Sequence, residues 1–127
     1  MSASGEDQIR QLTARMLRKK LYVVLSKGNA TPEQIGALLP QHLEFMIGLE
    51  RQGILFASGP FTAAPGAPAG DGLTILRAES AEAASRIASG DPFVINKLRT
   101  FEVREWTVME GSLGLTVRFS DQSLEVA

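Results

Sequence analysis

The chain has 127 residues, a length that suits one domain and leaves little room for two. Its residues are 44% hydrophobic and 21% charged, close to the average of globular proteins, so we expect a packed core. Thirteen lysine and arginine residues against fourteen aspartate and glutamate residues give a net charge of −1. This balance offers no strong positive field to hold nucleic acid or an anionic membrane, and we expect neither partner.

Cysteine is absent and histidine occurs once, at His42. One chain therefore cannot form a disulfide, a thiolate nucleophile, or a metal site that needs thiolates or two histidines. The apolar runs are too short to cross a bilayer, and the polar residues 2–7 do not resemble a signal peptide. Phosphate-loop and dinucleotide-binding fingerprints are also absent. These features predict a soluble, cytoplasmic protein without a metal or an organic cofactor.

The first predicted element is an amphipathic helix over residues 8–20. Ile9, Leu12 and Met16 recur at helical spacing, and basic side chains lie elsewhere around the axis. We expect the apolar stripe to pack on the body of the protein and the basic face to be solvated. The continuous apolar run at residues 21–25 has the length of a strand and predicts the first strand of the core.

Two helical segments are predicted after this strand. Thr31, followed by proline and glutamate, is typical of a helix start. Pro40 disfavours helical geometry at the residue before it, so we expect a break there and a second, longer helix that begins at Pro40 and ends at Gly53. This places His42 in a first turn, where the positive helix end favours a neutral imidazole. If the helix is instead continuous, His42 lies on its apolar face.

The rest of the chain alternates strands with helices. A helix capped by Ser80 and a short helical turn that starts at Asp91 and Pro92 are predicted before the fourth strand. The Gly- and Pro-rich residues 59–72 include almost no large side chains and predict a mobile loop. The strands after the first are predicted at residues 54–58, 73–78, 101–108 and 113–119.

The element order is helix, then β-α-β-β-α-β, then one extra strand. The middle part is the split βαβ pattern of a ferredoxin-like α+β domain, which leaves one face of the sheet without helices. Because the first core strand carries apolar residues on both faces, we expect a second copy of the chain to cover the bare face. The sequence therefore predicts a homodimer.

A small set of residues could carry chemistry. Asp91 before Pro92 suits a helix cap, and a capping carboxylate can also hold one nitrogen of a histidine protonated so that the other acts as a base. His42 is the candidate partner, although a core histidine bonded to a backbone carbonyl is the simpler interpretation. Ser58 and Gly59 end the second strand, where they could bind a ligand or form a turn. The nucleophile-elbow pattern Gly-x-Ser-x-Gly is absent, which disfavours acyl transfer.

The order and spacing of these motifs resemble the YCII-related family. The ordered set is Pro40-Gln41-His42-Leu43, Gly53-Ile54-Leu55 leading into Ser58-Gly59-Pro60, Gly72-Leu73, Ser80-Ala81-Glu82-Ala83-Ala84 and Asp91-Pro92-Phe93. The resemblance implies a dimeric α+β barrel, in which two ferredoxin-like sheets face each other. It divides the chain into an N-terminal helical extension (1–20), the YCII-related domain (21–110) and a C-terminal strand extension (111–127). It also implies an active site with a dyad of His42 and Asp91 and a nearby serine, Ser58.

Residues and resemblance together favour a homodimeric enzyme without a cofactor that acts on a small cyclic or hydroxylated compound. His42 would be the general acid or base, Asp91 would orient it, and Ser58 and Gly59 would bind the substrate. The expected reaction is proton abstraction with elimination, dehalogenation or isomerisation. The alternative is a non-catalytic module that binds a small ligand or serves dimer assembly.

Overall fold

The computed structural model describes residues 3–127, which form two compact units. The core unit comprises residues 20–107, and the terminal unit comprises residues 3–19 with residues 108–127. None of the helices in the described range is long and apolar enough to cross a membrane. The elements are, in chain order, α1 (Ala3–Thr13), β1 (Lys19–Gly28), α2 (Pro32–Arg51), β2 (Leu55–Pro60), β3 (Gly72–Leu76), α3 (Ala81–Ala88), α4 (Pro92–Ile95), β4 (Arg99–Val108), β5 (Leu115–Arg118) and β6 (Ser123–Val126).

A four-stranded sheet in the order β2-β3-β1-β4 forms the core unit. Strand β3 pairs antiparallel with both β1 and β2. Helix α2 connects β1 to β2, and helices α3 and α4 connect β3 to β4. This is the predicted β-α-β-β-α-β arrangement, so the ferredoxin-like α+β fold is confirmed.

The two faces of the sheet have different surroundings. On one face, residues of β1 and β3 pack against α2 and α3 in a buried cluster of Tyr22, Val24, Met46, Leu49, Leu76, Ala84 and Ala88. On the other face, Val23 and Leu25 of β1 lie opposite Ile75 and Leu73 of β3. With Trp106 they line an open, mostly apolar concavity of about 340 Å³. The sheet is therefore apolar on both faces, as the first core strand predicts.

Helix α2 runs without interruption from Pro32 to Arg51, so the predicted break at Pro40 is wrong. Its start is the predicted one, because the Thr31 hydroxyl accepts a hydrogen bond from the backbone N–H of Gln34 and the Gln34 side chain accepts one from Thr31. Pro40 and Gly36 both lie on the exposed side of the helix. Because proline has no backbone N–H, the carbonyl of Gly36 lacks the hydrogen-bond donor that residue 40 would otherwise provide. Water can bond that carbonyl, and the missing bond does not end the helix.

The N-terminal helix begins at Ala3 instead of residue 8 and ends at Thr13 instead of residue 20, so both predicted ends are wrong. Helix α1 ends at Thr13, and the chain then turns through Arg18, at φ 52°, into β1. The prediction ran too far because Met16 continues the helical spacing of apolar residues. Ile9 and Leu12 are 46% and 66% exposed, and the packing of the apolar stripe on the body of the protein stays a prediction.

The C-terminal extension contains the predicted strand, as β5, and a second strand that the sequence analysis missed. Strands β5 and β6 pair antiparallel, and the turn between them is supported by Asp121, whose Oδ1 accepts the N–H of Ser123 at 3.0 Å. A four-residue strand directly after a turn is too short to give a clear alternating pattern. One face of the hairpin is apolar, with Leu115 opposite Val126 and Val117 opposite Leu124.

Candidate functional site

His42 lies in the interior of α2, more than two turns after the first residue, Pro32. The field of a helix end fades within one turn, so the predicted effect of that end on the imidazole is wrong. The continuous-helix alternative applies instead. Met46 and Leu49, one and two turns further along the helix, are buried, and the His42 side chain is 14% exposed.

Asp91 caps α4 as predicted, and it also contacts His42. Its Oδ1 accepts the backbone N–H of Phe93 at 2.9 Å and lies 2.9 Å from Nδ1 of His42. Because an ionised carboxylate only accepts hydrogen bonds, Nδ1 carries a proton. In the neutral ring Nε2 is then the nitrogen that can take up a proton. The cap of α4 thus also sets the tautomer of the histidine.

The ring of His42 borders a cavity of about 310 Å³ within the core unit. Ser58 and Gly59 of β2 line the same cavity, whereas Asp91 is not among its lining residues and acts on it through His42. Nε2 of His42 has no hydrogen-bond partner. Every fully buried side-chain nitrogen or oxygen among the described residues does have a partner, so Nε2 is not fully buried. Nε2 is therefore open to the cavity. The structure therefore places His42, Ser58 and Gly59 around one cavity, and Asp91 directly behind His42.

Phe93 holds the plane of the histidine. Its ring stacks on His42 with centroids 4.3 Å apart and an angle of 18° between the planes. Phe93 is buried, and its own N–H bonds Asp91. The first turn of α4 therefore supplies both the carboxylate that orients His42 and the ring that supports it.

Arg99, the first residue of β4, is a charged residue of the site that the sequence analysis missed. Its side chain is 8% exposed and lines the cavity. Its Nη1 donates to Oδ2 of Asp91 at 3.4 Å, and its Nε donates to the carbonyl oxygen of Gly70 at 3.0 Å. Burial lowers the pKa of Arg99, while the carboxylates of Asp91 and Asp71 raise it. A guanidinium remains protonated at neutral pH, so the site holds a buried cation.

A signal for Arg99 was present in the sequence. Phe101 and Val103 alternate on the inward face of the predicted strand, and extending the alternation back by two residues reaches Arg99. The predicted strand began at residue 101, after this position. An arginine in phase with core residues indicates a buried charge that needs a carboxylate partner.

The end of the Gly- and Pro-rich segment is anchored beside the cavity. Oδ1 of Asp71 accepts the N–H of Gly28 at 2.7 Å, and Ala69 forms a β-bridge with Ala30. The contact with β1 is so close that a Cβ at Gly28 would lie 1.9 Å from the carbonyl oxygen of Ala69. Strand β2 extends to Pro60 and β3 begins at Gly72, so the ends of the predicted loop over residues 59–72 are paired strand residues. For residues 62–68 the mobility stays a prediction.

The family model of the YCII-related domain matches residues 20–107. The chain belongs to the YCII-related family. The resemblance inferred from the order of the motifs is therefore confirmed.

A solved structure extends this comparison. The chain is similar to the 5-chloro-2-hydroxyhydroquinone dehydrochlorinase TftG from Burkholderia phenoliruptrix AC1100, determined in complex with 2,5-dihydroxybenzoquinone. The TM-score is 0.55 and the identity 21%, over 68% of this chain and 92% of the other. At this identity the likeness shows the fold alone, and it agrees with the ferredoxin-like α+β arrangement of the core unit. No protein with a curated description matches the chain significantly.

Proposed function

We propose that this protein is a small-molecule enzyme in which His42 is the general acid or base and Asp91 orients it. The observation that carries the proposal is the 2.9 Å contact between Nδ1 of His42 and Oδ1 of Asp91, with Nε2 open to a cavity of about 310 Å³. This volume is at the lower end of the range for small-ligand sites, which suits a compound with a single ring.

The proposed chemistry is a proton transfer at Nε2. His42 takes a proton from the substrate, and the imidazolium that forms is stabilised by Asp91 through Nδ1–H. The electron pair left on the substrate forms a new double bond. In an elimination or dehalogenation the leaving group departs with its own electron pair, and in an isomerisation His42 returns the proton to another atom. Ser58 and Gly59, which line the cavity, bind the substrate in this proposal.

The substrate class rests on chemistry and on the fold neighbour. TftG is a dehydrochlorinase that was solved with a hydroxylated quinone, and this supports a hydroxylated ring compound as the substrate here. Such compounds have acidic O–H groups, and their keto tautomers have acidic C–H groups, from which an imidazole can remove a proton. A shared fold does not transfer a particular substrate, so the class, and not the compound, is proposed.

The apolar concavity on the second face of the sheet supports a further part of the proposal, that the protein acts as a homodimer. Val23, Leu25, Leu73 and Ile75 lie together on this face and are only partly covered within one chain. A second copy would bury them without changing the dyad, whose two residues come from one chain.

Turnover of hydroxylated ring compounds tests the proposed function. Chloride release from 5-chloro-2-hydroxyhydroquinone and deuterium uptake from D₂O by non-halogenated analogues would be measured for the wild type, His42→Gln and Asp91→Asn. We expect His42→Gln to lower the rate about 10²–10⁴-fold, the usual contribution of general acid–base catalysis. Compounds that bind in the cavity but are never turned over would favour the non-catalytic module, and turnover at an unchanged rate in His42→Gln would show that His42 is not the acid or base.

A spectroscopic control separates orientation from stability. Ring ¹⁵N NMR of the wild type should show the Nδ1–H tautomer of His42, because Asp91 accepts that proton. Asp91→Asn should raise the share of the other tautomer, and so should Asp91→Ser, which keeps an oxygen for the helix cap. The same tautomer in all three proteins would show that Asp91 is only a cap.

A further inference from the structure

Arg99 has N–H donors beside the dyad that the protein itself does not use. Its Nε bonds the carbonyl of Gly70 and its Nη1 bonds Asp91. A guanidinium has five N–H groups, two of them on Nη2, and no acceptor for Nη2 is found among the residues that the structure describes. Every fully buried side-chain nitrogen among the described residues has a partner, so Nη2, which has none, is not fully buried. Because Arg99 lines the cavity, Nη2 is open to it.

The space in front of Nη2 is kept free by Gly72. A Cβ at Gly72 would lie 3.5 Å from Nη2 and 3.2 Å from the carbonyl oxygen of Gly59. Gly72 lies in β3 without a positive φ, so its backbone conformation does not require glycine. A side chain at this position would occupy the approach to the guanidinium, whereas glycine leaves it open to a ligand.

The carboxylates of Asp91 and Asp71 both act on the positive charge of Arg99, but only Asp91 forms a hydrogen bond with it. Its contact with Asp91 is long, at 3.4 Å, and involves one oxygen instead of the two of a bidentate pair. The other oxygen of Asp91 is shared by His42 and the N–H of Phe93. The nearby carboxylate of Asp71 is bonded to the N–H of Gly28. The guanidinium can therefore form a further charge-assisted hydrogen bond on the side of the cavity.

His42 and Arg99 hold fixed positions relative to each other because they share two partners. Oδ1 of Asp91 accepts a hydrogen bond from His42, and Oδ2 accepts one from Arg99. The ring of Phe93 lies 4.3 Å from the ring of His42 and 5.0 Å from Cζ of Arg99. A proton acceptor and a cationic hydrogen-bond donor thus border one cavity, held by the same two residues.

We propose that Nη2 of Arg99 binds the substrate oxygen that becomes negative when Nε2 of His42 takes the proton. This inference rests on the proposed function and narrows its substrate class. The substrate carries either a carbonyl oxygen conjugated to an acidic C–H, whose conjugate base is an enolate, or a phenolic hydroxyl, whose own oxygen becomes a phenolate. The proton moves to Nε2, the electron pair spreads onto the oxygen, and the hydrogen bond from Nη2 becomes stronger as the charge forms.

Binding of two ring compounds of similar size tests this role without turnover. 2,5-Dihydroxybenzoquinone is ionised at neutral pH and resembles the conjugate base, whereas hydroquinone stays neutral. We expect calorimetry at pH 7 to show at least about tenfold tighter binding of the anion by the wild type. Arg99→Gln should remove this preference and change hydroquinone binding little, and Arg99→Lys, which keeps the charge without the planar fork, should retain part of it.

Gly72→Ala tests the same role with every charge in place, and it decides the matter if Arg99→Gln does not fold. The added methyl group should lower the affinity for the anion about tenfold by blocking Nη2. Gly36→Ala is the matched control, since a Cβ there meets nothing within 4 Å on the exposed side of α2. No preference for the anion in the wild type, an equal loss of both ligands in Arg99→Gln, or an unchanged anion affinity in Gly72→Ala would each overturn the inference.

The two proposals can fail separately. His42→Gln should lower the turnover rate about 10²–10⁴-fold and keep the preference for the anion, because Nη2 is unchanged. If turnover does not depend on His42 but the preference depends on Arg99, the proposed catalytic function is wrong and the anion site stands. If turnover depends on His42 while Arg99→Gln and Gly72→Ala change neither rate nor affinity, only the role of Arg99 is wrong.

Discussion

The core unit and the terminal unit carry apolar residues at similar spacing but bury them very differently. Leu76 of β3 is 1% exposed under α2 and α3, whereas Leu115 of β5 is 60% exposed. None of residues 4–19 and 108–127 is buried. A two-stranded hairpin has no second layer of its own, while a four-stranded sheet with helices does. Alternating apolar residues therefore predict a strand, but they do not indicate whether another layer of the protein buries it.

Charged residues show the same contrast. In the terminal unit, Arg118 and Glu125 form an ion pair at 2.7 Å between side chains that are half exposed, a type of pair that contributes about 0–1 kcal/mol. In the core unit, Arg99 and Asp91 are both buried, and each has further hydrogen bonds. Buried charges with fixed partners hold catalytic groups in position. The candidate site therefore lies in the core unit.

The largest expected effect is the difference between two matched leucine substitutions. Leu76→Ala should lower the free energy of unfolding by about 2–5 kcal/mol, because it removes a fully buried side chain and leaves a cavity. Leu115→Ala should change it by no more than about 0.5 kcal/mol. Urea denaturation measures both. A loss of several kcal/mol in Leu115→Ala would mean that another surface covers the hairpin.

A second pair of substitutions tests which apolar face joins the two copies of the proposed homodimer. Ile75→Glu places a charge on the second face of the core sheet and should convert a dimer to a monomer at micromolar concentration. Val117→Glu places the same charge on the apolar face of the hairpin and should leave the dimer intact. Sedimentation velocity gives the masses. A wild type that is monomeric, or dissociation only in Val117→Glu, contradicts the proposed dimer face.

Pro40→Ala measures how far packing in the core unit overrides local preference. The substitution restores the N–H that can bond the carbonyl of Gly36, and alanine is favoured over proline inside a helix by about 3 kcal/mol. We expect a gain in the free energy of unfolding of about 1–3 kcal/mol in urea denaturation, since the exposed carbonyl of Gly36 can form a hydrogen bond with water when the helical donor is absent. The ¹⁵N spectrum of His42 should not change. Destabilisation would mean that the packing of α2 requires proline at this position.

The smallest expected effect concerns the turn of the hairpin at low pH. The hydroxyl and the backbone N–H of Ser123 lower the pKa of Asp121. These bonds therefore favour the turn above the ordinary aspartate pKa, near 3.9, and are lost as the pH falls through the lowered value. The amide signal of Ser123 should follow this titration, and Asp121→Asn should abolish it. A midpoint above 3.9 would contradict the hydrogen bonds in the turn.

Local features of the sequence determined most of the fold. The caps at Thr31, Ser80 and Asp91 were predicted because a side-chain oxygen beside a free backbone N–H needs only neighbouring residues. The strands of the core followed from apolar runs and alternation, and their order with the helices was enough to predict the ferredoxin-like arrangement. The same order of motifs indicated the YCII-related family and selected His42 and Asp91 as candidates.

Tertiary structure decided the features that depend on residues far apart in the chain. Whether α2 continues through Pro40 depends on which side of the helix faces water, and whether an apolar stripe is buried depends on the surface opposite to it. The contact of His42 with Asp91, 49 residues away, and the pairing of Arg99 with the same carboxylate require the packed core. A sequence pattern specifies which groups need a partner, and only folding brings a particular partner within hydrogen-bond distance.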